Sequence, residues 1–257
     1  MWRKLRIGIL LFVLAVVAWN YWYDRLSTTD WDETLTVGIY PIDETGDPAT
    51  HAYVASLATT DVADIEQFLN EEAAAFGVRV DRPVSVEMFP RVSEMPPERD
   101  HESGAFGNAW WSLRMRMYAR RAALSTGKDM PQIRIFVRFH NPEFTKAVPH
   151  SVGMQKGLVG VVHAFAARSM RGSNNVVIAH EILHTLGATD KYDPATLAPL
   201  FPSGYAEPDR NPRIPQEFAE IMAGRYPVSR TELEMPRSLD EVVVGDVTAS
   251  EIRWRRE

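Results

Sequence analysis

His180-Glu181-Ile182-Leu183-His184 lies within residues 174–186, a stretch that reads as an amphipathic helix stopped by Gly187. Four residues are just over one helical turn, so both imidazoles leave the same face and can meet on one cation. The rest of the chain must then bury the opposite face, where Val176, Val177, Ile178, Ile182, Leu183 and Leu186 supply apolar surface. Ser173, Asn174 or Asn175 is expected to cap the helix start. Glu181, beside the first histidine, is placed to take a proton from a water near the ion, the role of a general base.

The chain has no cysteine, which excludes disulfides, thiolate nucleophiles and sulfur-ligated metals. A metal must be held by His, Asp, Glu or backbone oxygen. A catalytic zinc takes three protein ligands and keeps one position open. No histidine follows His184, so a downstream third ligand has to be a carboxylate. Gly187 lets the chain double back in a left-handed conformation, and Asp190 follows three residues later. Asp193, Glu207, Glu217 and Glu220 are the other carboxylates open to that role. Two imidazoles and a carboxylate suit Zn2+. The aspartate would offset one unit of the ion's charge, making its water less acidic than in a three-histidine site.

The full run, H-E-x-x-H-x-x-G-x-x-D over residues 180–190, resembles the metzincin zinc metalloproteases, whose pattern ends in a third histidine. Asp190 stands at that last position, as in the snapalysin-like members of the clan. Glu220-Ile221-Met222-Ala223-Gly224 resembles the methionine turn of the same clan, with Met222 beneath the metal. The resemblance implies peptide-bond hydrolysis with His180, His184 and Asp190 as ligands and Glu181 as base. It also implies a tyrosine near the oxyanion, for which Tyr226 is the first candidate and Tyr192 the second. By the same analogy the strand before the helix is a sheet edge that holds substrate as an added strand, over Leu158, Val159, Gly160 and Val161. The likeness spans roughly residues 130–228 in architecture and only the two motifs in specific residues.

The remaining pattern predicts an α/β (α+β) fold with a mixed, mainly parallel sheet. Strands are expected at 35–40, 84–89, 133–139 and 159–165, and helices at 61–76 (capped by Asp61), 108–124, 174–186 and 246–254. Residues 35–187 would form the α/β subdomain and 188–257 a smaller, proline-rich one, with the site between them. His51, His101, His140 and His150 read as surface residues, and Arg114, Arg116, Arg120 and Arg121 as the solvated face of a helix.

Residues 1–23 carry Arg3, Lys4 and Arg6 before an uncharged apolar run that ends in Trp19, Tyr21, Trp22 and Tyr23. This predicts a single-pass anchor with its N-terminus in the cytoplasm and the rest in the periplasm or outside the cell, joined by a linker at 24–34. A cleaved signal peptide ending near residues 16–18 is the rival reading. Net charge is −6; without Arg3, Lys4 and Arg6 it is −9, which argues against nucleic acid as a partner. The expected partners are a peptide or protein substrate and the membrane. The function expected is a membrane-anchored zinc metallopeptidase. An inactive metal-binding scaffold and a zinc hydrolase of a non-peptide amide are the alternatives; oligomeric state is not legible.

Overall fold

The computed structural model describes residues 2, 6–8, 28–98, 104–149, 151–154 and 157–255. The expected anchor, apart from residues 2 and 6–8, lies outside them. Among the described residues no helix is long and apolar enough to cross a membrane.

Five strands form one sheet: β1 (Leu35–Asp43), β2 (Val84–Met88), β3 (Ile133–His140), β4 (Val152–Met154) and β5 (Val159–Phe165), in the order β2-β1-β3-β5-β4. The first four in that order run parallel, and β4 is antiparallel to β5. Parallel neighbours require crossover connections. The helices are α1 (Pro48–Ala55), α2 (Ala63–Ala75), α3 (Ala105–Ser125), α4 (Arg171–Leu186) and α5 (Asp246–Glu251).

Side-chain alternation sorts the strands onto two cores. Ile133, Ile135, Val137 and Phe139 of β3 pack with Ile65, Phe68 and Leu69 of α2 and with Ile178 and Ile182 of α4. Phe136 faces the other way, joining Tyr40 and Ile42 of β1 and Met115, Tyr118 and Ala122 of α3. Both faces of the sheet are therefore covered, as expected of a mainly parallel sheet. Beyond residue 187 the chain is mostly irregular. It carries two short ladders, β6 (Ala219–Glu220) with β9 (Val242–Val243) and β7 (Tyr226–Pro227) with β8 (Leu233–Glu234). Its Ile221, Met222, Val244, Ile252 and Trp254 complete the core shared by α2 and α4, so one apolar interior joins both halves of the chain.

Several local expectations are corrected. The segment from Leu158 to Val161 is not the sheet edge: β4 pairs with β5 through Gly153 and Gly160 and takes the outer position. Leu158 itself sits in the β4–β5 turn with φ 52°. Asp61 does not cap α2; its carboxylate accepts the Ala58 N–H and pairs with Arg168. None of the three expected residues caps α4, which begins at Arg171. Asn174 instead bonds both the N–H and the C=O of Phe165, and the Asn175 amide donates to Asp61 O, locking the helix to β5 and to the turn before α2. The last helix stops at Glu251, short of 254.

Candidate metal centre

α4 delivers His180 and His184 to the molecular surface while its other face is buried through Ile178, Ile182, Leu183 and Leu186. Gly187 ends the helix at φ 108°, in the left-handed conformation that a side chain would strain. The Ala188 N–H donates back to Leu183 O, and the chain reverses. This reversal brings Asp190 Oδ1 to 3.3 Å from His180 Nε2 and 3.1 Å from His184 Nε2.

Each imidazole uses its other nitrogen on backbone. His180 Nδ1–H donates to Ile221 O at 2.9 Å and His184 Nδ1–H to Ala188 O at 2.8 Å. In a neutral ring this leaves Nε2 as a lone pair. Two lone pairs and a carboxylate oxygen thus face one another, an arrangement that only a cation relieves, as protons on the rings or as a metal ion. A tetrahedral ion with bonds of about 2.0–2.1 Å holds its ligand atoms about 3.3–3.4 Å apart, so the two separations fit such an ion. His180, Glu181 and His184 also bring their ligand atoms within 4.8 Å of one another and form a possible metal-binding triad.

The two carboxylates differ in surroundings. Glu181 is buried, and its Oε2 has no hydrogen-bond partner. Burial pushes its pKa up, outweighing the opposing pull of the two imidazoles. For Asp190 burial also acts upward, but the bonds to His180 and His184 win and hold its carboxyl well below the usual range. Burial lowers the pKa of His184, yet Asp190, Glu181 and the Ala188 carbonyl together raise it.

Beneath the histidines, residues 220–224 form a tight turn in which the N–H groups of Ala223 and Gly224 donate to Glu220 O. Met222 is fully buried, and Ile221 supplies the carbonyl that orients His180. Glu220 is buried within the turn, accepting from Met222 N–H (2.7 Å), Gly245 N–H (3.2 Å) and Thr248 Oγ1 (2.6 Å). The other candidate ligands are engaged elsewhere. Asp193 caps its own turn through Ala195 and Thr196, and Glu207 and Glu217 pair with Arg210.

Of the two tyrosines, Tyr226 has its hydroxyl 3.5 Å from Glu234 Oε2, in the β7–β8 hairpin. Its pKa is raised by burial and by Glu241 and Glu234. That of Tyr192 is raised by burial and then by Asp190 and Glu181, so Tyr192 is the tyrosine beside the site.

Two features had no sequence counterpart. Gly153 of β4 lies against the site: a Cβ there would stand 2.5 Å from His184 Cβ and 2.9 Å from Glu181 Oε2. His140, expected at the surface, is buried, and its Nε2 lies 2.8 Å from His163 Nδ1. His101 and His150 lie outside the described residues. Compared with known protein families and with curated proteins, the chain matches none.

Proposed function

We propose that the chain is a zinc-dependent peptidase whose metal is held by His180, His184 and Asp190, with Glu181 as general base. The observation that carries this reading is the meeting of three acceptor atoms, His180 Nε2, His184 Nε2 and Asp190 Oδ1, with both imidazole protons committed to backbone carbonyls. Zinc, when bound, supplies a Lewis acid that polarises a carbonyl and acidifies a water. Glu181 Oε2 takes the proton of the water that attacks the scissile carbonyl and returns it to the leaving nitrogen. Its burial and raised pKa make it a base strong enough for this exchange near neutral pH. The Ile221 and Ala188 carbonyls hold the two rings in the tautomer that presents Nε2.

A peptide is favoured over other amides because β4, the outer strand among the described residues, passes directly over Glu181 and His184. As the outer strand it is where an extended peptide would be laid alongside as a further strand. The substrate edge thus moves from Leu158–Val161 to β4. The cationic and apolar residues 1–23 support a membrane-anchored enzyme acting outside the cytoplasm.

The test is peptide cleavage by the zinc-loaded chain and by Glu181→Gln, with bound metal measured by elemental analysis. Turnover falls about 10²–10⁴-fold in the variant while zinc content stays the same. Wild type that takes up no zinc, or a Glu181→Gln protein as active as wild type, overturns the proposal.

A further inference from the structure

Asp190 is 43% exposed in its side chain and meets His180, His184 and the Tyr192 hydroxyl, so the backbone that carries it decides where its Oδ1 stands. That backbone is held from the far end of the chain. The Thr189 N–H donates to Glu251 Oε2 at 2.9 Å and the Thr189 hydroxyl to Glu251 Oε1 at 2.7 Å. The ammonium of Lys191, almost wholly buried, donates to the same Oε2 at 2.7 Å. It also bonds Thr189 O and Oγ1, at 2.7 and 2.8 Å. The Lys191 N–H donates to Met222 O at 2.9 Å. Both chain neighbours of Asp190 are therefore fixed, and one carboxylate sixty residues away fixes them together.

The other end of α5 braces the histidines. Thr248 and the Gly245 N–H bond Glu220, which also holds the Met222 N–H, and the adjoining Ile221 carbonyl orients His180. A single short helix thus reaches both sides of the acceptor triangle. Groups behind the metal ligands govern affinity in this way because a misdirected ligand loses bond geometry without losing its charge.

We infer that Glu251 is a positioning residue for the metal centre: through Thr189 and Lys191 it sets Asp190 Oδ1 where that atom closes a three-ligand site with His180 and His184. This rests on the metal reading proposed above. Glu251 acts through the loop and takes no part in the reaction itself.

The experiment uses the full chain as wild type, Glu251→Ala, Glu251→Gln, Thr189→Val and Asp190→Ala. Zinc affinity is read by competition with a chromophoric chelator, ligand geometry by the visible spectrum of the Co2+-substituted protein, and folding by circular dichroism. Glu251→Ala weakens zinc binding about 10–100-fold and moves the cobalt bands toward those of Asp190→Ala. Glu251→Gln falls between it and wild type, because an amide oxygen still accepts from Thr189 but no longer pairs with the ammonium. If Glu251→Ala does not fold, Thr189→Val removes only the hydroxyl's bonds to Glu251 and Lys191, leaves the Thr189 N–H on Glu251, and shows a smaller loss in the same direction. Unchanged zinc affinity and cobalt spectra in the folded Glu251 and Thr189 variants overturn the inference and leave the metal reading standing. No zinc uptake by wild type overturns both.

Discussion

Gly153→Ala tests the placement of β4 over the site. The added Cβ would meet His184 Cβ at 2.5 Å, Glu181 O at 2.8 Å and Glu181 Oε2 at 2.9 Å. The first two of these atoms belong to the rigid part of α4 and cannot swing aside. Carbon atoms rest about 3.5–4.0 Å apart, so β4 or the helix must give by about 1 Å. Overpacking of this size costs about 1–3 kcal/mol. At about 2–4 °C per kcal/mol for a chain near this length, Tm falls by about 2–12 °C. A displacement of about 1 Å beside the reacting groups lowers kcat/KM by about 10²-fold. Differential scanning calorimetry and peptide hydrolysis measure the two effects on the same preparation. Gly104→Ala is the control, since a Cβ there meets nothing within 4 Å. A Gly153→Ala protein with the Tm and kcat/KM of the control would show that β4 does not press on Glu181 and His184.

The buried pair His140 and His163 makes the fold acid-sensitive. Burial, followed by the charge of Arg138, pushes His163 down from 6.5 to about 4. The unfolded chain therefore binds this proton first, and stability present above pH 6.5 is lost as pH falls toward 4, by up to roughly 3 kcal/mol. His163→Gln flattens the Tm profile over that window; a slope equal to wild type rules the pair out. Met222→Leu keeps volume and costs less than about 1.5 kcal/mol, whereas Met222→Ala opens a cavity and costs about 2–5 kcal/mol, read by chemical denaturation. Tyr226→Phe leaves kcat/KM at the wild-type value because its hydroxyl faces Glu234; a measured loss would bring it into the site.

The parts of the fold that bury one continuous stripe were legible from sequence. α2, α4 and the strands β1, β2, β3 and β5 follow from apolar spacing, and the reversal at Gly187 follows from glycine after a helix. α1 was not, because among its residues only Thr50 and Val54 are buried. Its local signal was present all the same: Pro48 in the first turn and Asp47 as cap, accepting from the Ala49 and Thr50 N–H groups. β4 has three residues, too few for alternation to show, and its consequence is tertiary, since Gly153 matters only through what it touches on α4. His140 escaped because β3 is covered on both faces and has no solvent side on which to leave it. Glu220 and Glu251 look like ordinary carboxylates in sequence; apart from the Met222 N–H, their partners lie 25 to 62 residues away.

Glu181 and Asp190 both stand beside the histidines, and the proposed reaction would give them opposite tasks. A metal ligand has to be ionised at working pH, whereas a general base has to accept a proton and release it within one turnover. The two environments push the two carboxyls apart in the direction these tasks require. Asp190, half open to water and bonded to both imidazoles, is held ionised. Glu181, buried and with one oxygen unpartnered, is held nearer to protonation. Helix geometry gives the same partition, since consecutive residues point about 100° apart. On the proposed reading Glu181 therefore flanks the direction shared by His180 and His184, and Asp190 closes it. The closing residue would then come from outside the helix, on the loop that the left-handed Gly187 turns back toward the histidines.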